Sequence, residues 1–568
     1  MNKGIMVVAL IGLLITVATA QAVSRNEKVD ELFKDWDKPN SPGCELGVIR
    51  NGDFIYRHGY GMADLDHDIP LSSQSVFYIA SMSKQFTAAS IDLLAMQGKL
   101  SMDDDIRKYL PEMPQYERPI LIRHLIHHTS GIRDHIVLSY LIGLPTEPIE
   151  SDAEMYETMA LTSGEDVFRL IARQRGLNFL PGDESAYSNS NYALLAQIVK
   201  RVSGKSLPEF AEENIFRPLG MTRTHYYEDL FTVVKNRAVG YSPQGNGFVP
   251  VHLNNGTVGP AGVLTTVDDL LLWDRNFYSN KLGAGQHFID LLLTGDTLND
   301  GTKLRYAFGL FNYTYKGLNA VGHDGGFFGF KTSMNRFPDQ RFTVICLCNS
   351  RNAPMDTFAD QVTDIYLANE FKTSPAPAPT PTPLAEEFPQ LSATELQRFA
   401  GVYWNPVTEG LWMLTIKEGK LVDPGGGGSV LIPIGPNRFR VSGQSIELLF
   451  ETPRAGGRPI QVIKIVGGGK PQTYKAVNHV TPSMRQLHEY VGTYYSDELE
   501  SKYEFAIQDG ILILRRKKAK AIQLFATFAD NFWNDNFGYI RFTRDDHHRI
   551  NGFLLTSGWI RRLRFAKS

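Results

Sequence analysis

The stretch "FYIASMSKQFTAASIDLLAMQGKL", Phe77 to Leu100, decides the fold, because it places two serines and a lysine directly before an apolar run. Residues three apart on a helix share a face. Ser81 and Lys84 can therefore meet at the start of a helix predicted over residues 82–97. A serine hydroxyl needs a neighbouring base to act as a nucleophile, and a desolvated lysine with a lowered pKa can be that base. The alternatives are a plain helix cap with a solvated lysine, or a pair that uses Ser83 instead.

A second polar cluster lies in "FLPGDESAYSNSNYALLAQIVKRVSG", Phe179 to Gly204. Tyr187 and Asn189 fall in a predicted loop before a helix that starts near Asn191. A tyrosine hydroxyl can relay a proton, and an asparagine amide can donate to a substrate carbonyl while it accepts from a lysine. The alternative interpretation is a helix-capping loop with a packing tyrosine.

A third cluster lies in "VGHDGGFFGFKTSMNRF", Val321 to Phe337. Glycines beside a strand let a substrate backbone approach closely. The N–H of Gly326 is a candidate partner for the N–H of Ser81 in an oxyanion hole, and His323, Asp324 and Gly325 stand just before it. The alternative is a glycine-rich hairpin with a structural histidine.

Taken together in this order, the three clusters resemble the penicillin-recognising serine hydrolases of the class C β-lactamase and D-aminopeptidase type. That family carries Ser-x-x-Lys, Tyr-x-Asn and a late Lys-Thr-Gly or His-x-Gly. Two further stretches match it, "IRHLIHHTSGIRD" (Ile122 to Asp134) and "GPAGVLTTVDDLLLW" (Gly259 to Trp273). The resemblance covers residues 30–370.

The resemblance implies a role for each motif residue. Ser81 would be the nucleophile, and Lys84 would accept its proton directly or through Tyr187. Tyr187 would protonate the leaving group and later activate water, and Asn189 would orient the acyl part of the substrate. His323 would replace the late lysine of the penicillin-hydrolysing members, with Gly325 completing the motif.

The late motif departs from those members, because it is His-Asp-Gly instead of Lys-Thr-Gly. A neutral histidine and the acidic Asp324 would hold a substrate carboxylate poorly. This departure favours a neutral or amino-bearing substrate over a β-lactam. The chain shows no glutamate that its sequence identifies as a dedicated deacylation base.

The proline-rich stretch "SPAPAPTPTP", Ser374 to Pro383, marks a boundary and predicts an extended spacer over residues 374–385. Before it, residues 26–373 form the predicted catalytic domain. A hairpin predicted at Asn51-Gly52, another over residues 329–349 and helices between them indicate an α+β fold, one antiparallel sheet covered by helices.

The chain after the spacer contains a repeat. "LQRFAGVYW" starts at Leu396 and "LHEYVGTYY" at Leu487, 91 residues apart, and "IKEGKL" maps onto "IQDGIL" with the same offset. The short strands and turns of each copy suit a small antiparallel barrel or sandwich, and we predict two β-barrel domains, residues 391–480 and 483–568. The paired aromatic residues Tyr403, Trp404, Tyr494 and Tyr495 are expected in the barrel cores.

The N-terminus predicts export. Lys3, a short apolar run and "ATA" at Ala18 to Ala20 are typical of a signal peptide over residues 1–20, with an uncleaved anchor as the alternative. The three cysteines are expected to be buried thiols, with no disulfide framework and no metal cluster. His124 and His128 have a spacing that metal sites use, but structural roles are favoured.

We therefore expect an exported, periplasmic or secreted serine hydrolase without metal or cofactor, acting on short peptides or amides. The alternatives are a carboxylesterase, a weak β-lactamase, or a non-catalytic protein that binds ligand or cell wall. A net charge of -3 does not indicate a basic surface of the kind that binds nucleic acid. No membrane span is expected after signal cleavage, and the sequence leaves open whether the chain forms a homo-oligomer. By resemblance, a loop of the last barrel would select substrates with a free amine, and the candidate is "FADNFWNDNFG", with Asp530 and Asp535; the alternative, which we favour, is an ordinary exposed barrel turn.

Overall fold

The computed structural model divides the chain into two compact units. One comprises Met1–Ile136, Met155–Arg175 and Phe179–Ser374, and the other Val137–Glu154, Gly176–Asn178 and Pro375–Ser568. The structure describes residues 25–142, 163–253, 256–282, 285–372, 391–423, 428–442, 444, 446–453, 457–466, 471–516 and 519–568. The expected signal peptide and the proline-rich spacer lie outside the described residues.

A six-stranded antiparallel sheet organises the first unit. Its strands, in sheet order, are β10 (Phe311–Tyr315), β11 (Leu318–Phe327), β12 (Phe330–Phe337), β13 (Phe342–Cys348), β1 (Cys44–Arg50) and β2 (Asp53–Tyr60). Shorter strands form three small sheets: β3 (Met62–Asp64) with β4 (Ile69–Pro70); β5 (Phe77–Tyr78), β9 (Val263–Thr265) and β6 (His225–Tyr226); and β7 (Gly240–Gln244) with β8 (Gly247–Val251). The first and last segments of the unit thus lie side by side in the large sheet.

Both predicted hairpins are confirmed. Asn51 and Gly52 have φ values of 54° and 85°, and Arg50 pairs with Asp53, as a two-residue type I′ turn requires. The second hairpin joins β12 to β13, with Phe337 opposite Phe342.

Helices cover the sheet on both faces. Residues 25–33 and Met355–Leu367 contribute Val29, Phe33 and Phe358 to one core cluster with β1 and β13. On the other face the helix Val267–Asn276 packs, so closely that a Cβ on Gly47 would lie 2.5 Å from Val267. The expectation of an antiparallel sheet covered by helices is therefore confirmed.

Apart from the helical residues 25–33, which precede β1, the described helices lie between the sheet strands and after them. In chain order they are α1 (Lys84–Met96), α2 (Ile122–Ile126), α3 (His135–Ile142), α4 (Gly164–Ala172), α5 (Asn189–Ser203), α6 (Leu207–Ala211), α7 (Arg217–Leu219), α8 (Val267–Asn276), α9 (Gly285–Leu293), α10 (Met355–Leu367), α11 (Ala393–Leu396) and α12 (Met484–Tyr490). Three 3₁₀ turns (Ala80–Ser83, Ile106–Lys108, Pro338–Gln340) and one π turn (Glu212–Phe216) complete the set. None of the described helices is long and apolar enough to cross a bilayer.

One expectation about the cysteines is wrong. Cys44 and Cys348 form a disulfide, because β1 and β13 are neighbours and place these two residues directly opposite each other. Their separation of 304 residues hides this pairing in the sequence. Cys346 is a buried thiol, as expected, and its sulfur lies 3.6 Å from that of Cys348.

Two closed eight-stranded antiparallel barrels form most of the second unit, and the expectation of two barrels is confirmed. The strands of the first are β14 (Gly401–Trp404), β15 (Leu411–Lys417), β16 (Lys420–Asp423), β17 (Ser429–Gly435), β18 (Arg438–Val441), β19 (Ile446–Glu451), β20 (Gln461–Val466) and β21 (Gln472–Val477). Those of the second are β22 (Gly492–Ser496), β23 (Ser501–Gln508), β24 (Ile511–Arg516), β25 (Ile522–Ala526), β26 (Asn531–Asn534), β27 (Gly538–Arg544), β28 (Ile550–Ser557) and β29 (Ile560–Lys567).

The repeat extends to individual hydrogen bonds. Tyr403 donates to the carbonyl of Phe399 over 2.9 Å, and Tyr494, at the equivalent position, donates to the carbonyl of Tyr490 over 2.8 Å. Both tyrosines are buried in their barrel cores. The repeated sequence motif therefore encodes the same turn into the first strand of each barrel.

Candidate functional site

Ser81 lies where strand β5 ends and helix α1 is about to begin. The N–H of Ile79 still donates to the carbonyl of Val263 in β9, over 3.0 Å. Ala80 then takes a φ of 46°, a left-handed conformation that costs a non-glycine residue roughly 1 kcal/mol or more. This sharp turn starts the 3₁₀ segment Ala80–Ser83, which runs directly into α1 and holds Ser81 half-buried at the first turn.

Lys84 is fully buried, and its Nζ is surrounded by three oxygens. Nζ lies 3.1 Å from Ser81 Oγ, 2.9 Å from Asn189 Oδ1 and 2.7 Å from the carbonyl oxygen of Pro260. The predicted meeting of Ser81 and Lys84 is thus present in the structure. Burial lowers the pKa of Lys84 well below its usual value, against the opposing effect of the Asp134 carboxylate.

The three oxygens are not equivalent, and this difference fixes the direction of the lysine lone pair. The amide and carbonyl oxygens of Asn189 and Pro260 can only accept, so each takes one of the two N–H bonds of a neutral amine. In that neutral state the remaining lone pair is left for Ser81, whose hydroxyl can donate to it. A neutral Lys84 is therefore placed to take the serine proton.

Asn189 is the first residue of α5, two residues earlier than the predicted helix start. Its backbone N–H and its Nδ2 both donate to Oδ2 of the buried Asp134, over 2.6 Å and 3.0 Å. The helix start therefore fixes the backbone of Asn189 while its side chain reaches Lys84.

Tyr187 presents its ring to the same lysine. Nζ of Lys84 lies 4.8 Å from the ring centroid of Tyr187, and the half-buried ring packs against His128 at 4.4 Å and lies 6.3 Å from His323. The structure thus brings the Tyr-x-Asn motif and the Ser-x-x-Lys motif into one cluster.

His323, on β11, has both ring nitrogens in contact with oxygens. Nδ1 lies 2.6 Å from the carbonyl oxygen of Asp324, so Nδ1 must be the donor. Nε2 is then the acceptor, and the hydroxyl of Tyr306 donates to it over 3.2 Å. Burial, followed by the effect of Lys84, lowers the pKa of His323 to about 3. The imidazole is therefore neutral at ordinary pH, unlike a lysine in the same place.

Gly325 lies against the segment that leads into Ser81. A Cβ on Gly325 would lie 2.2 Å from the carbonyl oxygen of Ile79 and 2.4 Å from Thr332 Oγ1, so this position accepts only glycine without a shift. Thr332 itself donates to the same carbonyl over 3.1 Å. The late motif is thus packed directly on the chain two residues before the serine.

The hairpin that follows sets the direction of the Gly326 N–H. Phe328 and Gly329 form a two-residue turn with φ values of 48° and 79°, which makes Phe327 and Phe330 the hydrogen-bonded closing pair. In an antiparallel ladder the next pair is not hydrogen-bonded, so the N–H of Gly326 points away from β12. In the described sheet β10 pairs with β11 only as far as Gly322, so this edge of β11 has no strand neighbour there. The expected oxyanion role of Gly326 remains a prediction that this direction supports.

Asp324 stands on the other side of the strand. Alternation along β11 places its side chain on the face opposite to that of His323, and Asp324 is exposed. Ser83, the alternative nucleophile, is fully buried, and its Oγ accepts from the N–H of Val263 over 3.0 Å. Ser83 therefore connects the start of α1 to β9 through a hydrogen bond.

Sequence reasoning did not assign functional positions to Asp134, His128, Tyr306 or the carbonyl of Pro260. Asp134 and His128 belong to the quoted stretch Ile122 to Asp134, but no spacing rule connects them to Lys84. His128 Nδ1 accepts from the backbone N–H of Ser188 over 3.2 Å, which supports the favoured structural role. Tyr306 and Pro260 come from loops, and a backbone carbonyl has no signal in the sequence.

The stretch of the second barrel predicted as a loop, Phe528 to Gly538, contains strand β26 (Asn531–Asn534), with turns before and after it. Asp530 is already engaged within its own barrel, because its two oxygens accept from Arg544 over 2.7 Å and 2.9 Å, and one of them also accepts from Tyr490 over 2.9 Å. These contacts favour a structural role for Asp530, and its pairing with a substrate ammonium stays a prediction. Asp535 is exposed, and its role stays a prediction.

Comparison with known proteins decides the family. A profile described as Beta-lactamase matches residues 29–367, more than half of the chain. The chain belongs to the Beta-lactamase family. The resemblance inferred from the three motifs is thereby confirmed, and all the site residues described above lie inside the matched family region.

Individual relatives agree with the family assignment. The chain is 29% identical to a D-aminopeptidase of Gluconobacter oxydans (strain 621H) over 314 residues, which are 55% of this chain and 56% of that protein. It is 28% identical to penicillin-binding protein 4* of Bacillus subtilis (strain 168) over 343 residues, 57% of this chain and 72% of that protein. The chain thus matches only a little over half the length of the D-aminopeptidase.

Solved structures share the fold at low identity. The octameric penicillin-binding protein homologue from Pyrococcus abyssi matches 89% of this chain and 98% of its own, with a TM-score of 0.51 and 20% identity. A D-amino acid amidase from Ochrobactrum anthropi SV3, in complex with L-phenylalanine, matches 61% of this chain and 98% of its own, with a TM-score of 0.50 and 19% identity. Both likenesses support the fold described above.

Proposed function

We propose that this chain is a serine hydrolase that acts through a serine acyl-enzyme on short peptides or amides. The observation that carries the proposal is the position of the buried Lys84, whose Nζ lies 3.1 Å from Ser81 Oγ while its other two oxygen neighbours can only accept. The D-aminopeptidase and amidase names of the relatives support the amide class.

The first half of the reaction forms the acyl-enzyme. The Ser81 hydroxyl gives its proton to the Nζ lone pair of Lys84 as Oγ bonds to the acyl carbon, and the carbonyl electron pair moves onto oxygen. The N–H groups of Ser81 and Gly326 would hold that oxyanion. The carbon–nitrogen bond then breaks, and the leaving amine takes a proton from the Lys84 ammonium by way of the Tyr187 hydroxyl.

The second half repeats these transfers with water. Water loses a proton to the Lys84–Tyr187 pair and attacks the acyl carbon, and Ser81 Oγ leaves with the returned proton. The second N–H of the Asn189 amide can donate to another carbonyl in the acyl part of the substrate, because Asp134 accepts from only one Nδ2 hydrogen.

The charges of the site favour a substrate without a carboxylate beside the leaving group. His323 occupies the position of the late lysine, and its pKa of about 3 keeps it neutral. A neutral imidazole attracts a carboxylate far less than a lysine ammonium does. We therefore propose a neutral or amino-bearing amide as substrate and a weak response to β-lactams.

A substrate panel on the pure protein tests the proposal. The panel comprises D- and L-alanyl anilides, a short-chain nitrophenyl ester and a chromogenic cephalosporin. We expect anilide turnover that Ser81→Ala abolishes, while the matched variant Ser83→Ala, which loses only the bond to the Val263 N–H, keeps most of it. Anilide turnover that survives in Ser81→Ala would refute the proposal, and hydrolysis of the ester alone would assign a carboxylesterase.

We further propose that the protein is exported. The signal-like N-terminus and the Cys44–Cys348 disulfide support this, because disulfides persist in oxidising compartments. Expression of the full chain in a bacterium and sequencing of the mature N-terminus tests it. Cleavage after Ala20 is expected, and an intact N-terminus on cytoplasmic protein would contradict it.

A further inference from the structure

Asp134 is a buried carboxylate at the junction of two helices that meet at the site. It immediately precedes α3, and its Oδ1 accepts from the N–H of Ile136 over 2.9 Å. Its Oδ2 takes both donors of Asn189, the residue that starts α5. Both carboxylate oxygens are therefore occupied by N–H groups, and Oδ2 faces the residue that contacts Lys84.

These contacts decide which way the Asn189 amide faces. If the amide turned over, its oxygen would face the Asp134 carboxylate and its NH₂ would face an N–H of Lys84, so that like groups would oppose each other at both ends. Only the observed direction satisfies every group. Asn189 Oδ1 is thereby fixed as an acceptor for Lys84, and the lysine lone pair is left for Ser81.

Asp134 also raises the pKa of Lys84 through its charge, whereas burial lowers that pKa. Other titratable groups facing the lysine are His128, His135 and His323. Burial lowers the pKa of each histidine, to about 4 for His135 and about 3 for His323. At neutral pH these imidazoles carry no charge. The rings of Tyr187 and Tyr192, 4.8 Å and 5.6 Å from Nζ, complete the surroundings of the lysine.

We propose that Asp134 is a positioning residue for the reaction, which fixes the direction of the Asn189 amide and, through that amide, the hydrogen bonds of Lys84. The inference rests on the proposed serine hydrolase function. It differs from that proposal because Asp134 touches neither the substrate nor Ser81. Its predicted effect is on how readily Lys84 takes the serine proton.

The rate at which a fluorophosphonate modifies Ser81 is the readout, measured across pH and located by peptide mass spectrometry. Asp134→Asn keeps the size of the side chain but replaces one oxygen by NH₂, so either the N–H of Ile136 or the two donors of Asn189 lose their acceptor. We expect a loss of about 10²-fold, the cost of a misplacement of about 1 Å. Because the negative charge is also lost, the pKa of Lys84 falls further and the acid limb of the rate moves to lower pH.

The exchange variant Asp134→Asn/Asn189→Asp restores a donor–acceptor pair and moves the charge to the atom that lies 2.9 Å from Nζ. We expect its acid limb to move to higher pH, opposite to that of the single variant. On the plateau above the acid limb, Asp134→Asn should cost less than twofold in an Asn189→Ala background, because the positioning effect passes through the missing side-chain amide. These two results test the positioning role of Asp134 even if Asp134→Asn alone does not fold.

Asp92→Asn is the matched control, since Asp92 is another fully buried carboxylate, on the helix that carries Lys84. Its modification rate should follow the wild-type pH profile. Equal profiles for Asp134→Asn and wild type, or additive losses with Asn189→Ala, would overturn the inference while leaving the proposed function intact. A wild-type chain in which Ser81 is not the modified residue would instead overturn the proposed function.

Discussion

Alanine at Gly325 is expected to displace the serine without touching any group of the reaction. A Cβ there would lie 2.2 Å from the carbonyl oxygen of Ile79, whereas ordinary contacts of this kind are at least about 1 Å longer. The overlap is with backbone and cannot be relieved by a side-chain rotation. Either β11 or the segment from Ile79 to Ser81 must therefore move by about 1 Å. A misplacement of this size costs about 10²-fold in rate, or about 2.7 kcal/mol in the activation barrier.

The assay compares kcat/KM on an alanyl anilide for wild type, Gly325→Ala and a control. Gly247→Ala is the control, because a Cβ at that strand glycine would meet only one atom, at 4.0 Å. Near-UV circular dichroism verifies that each variant is folded. A folded Gly325→Ala enzyme with activity within threefold of wild type would refute the argument that Gly325 fixes the position of Ser81.

Three further predictions concern stability. The pKa of Asp92 is raised to about 7 by burial, and neither of its oxygens has a partner among the described residues. Since the folded pKa exceeds the unfolded value of about 3.9, the free-energy cost of burying the ionised carboxylate is absent below pH 4 and complete above pH 7. Relative to wild type, the free energy of unfolding of Asp92→Asn, measured in urea for its unit, should therefore rise by about 4 kcal/mol between pH 4 and pH 8. Equal pH dependences of the unfolding free energy in the two proteins would contradict this. Asp530→Asn should lower the melting temperature of the second barrel and leave Ser81 modification unchanged, whereas an altered preference for amino substrates would support the substrate role of Asp530. Cys44→Ala should cost about 2–5 kcal/mol and abolish the effect of reductant on the melting temperature, while Cys346→Ala should keep that effect, because only Cys44 and Cys348 are bridged.

The contacts that follow from local spacing could be predicted. Ser81 and Lys84 meet because helical residues three apart share a face, and the Asn51-Gly52 hairpin follows from two residues that tolerate positive φ. The offset between the barrels likewise predicted equivalent first strands, since Gly401 and Gly492 open both of them. In these cases the information lies within a few residues or in an exact repetition.

The contacts that depend on distant segments could not be predicted. The Cys44–Cys348 disulfide requires the first and last segments of the unit to be neighbouring strands. The carbonyl of Pro260 is a backbone group, which any residue supplies, so the residue type gives no indication of its contact with Lys84. Asp134 resembled any polar residue before a helix until the fold placed it against Asn189. Tertiary packing, not composition, selects these partners.

The most direct test of the account is the pH dependence of Ser81 modification in wild type and in two Lys84 variants. Lys84→Arg keeps a positive charge but cannot deprotonate at working pH, and Lys84→Ala removes the amine. The account predicts rapid modification of Ser81 in wild type at pH 7, with an acid limb far below the ordinary lysine pKa of about 10.4, and almost none in either variant. A Lys84→Arg protein that is modified at the wild-type rate would show that the lysine acts only as a charge, and would contradict its role as the base.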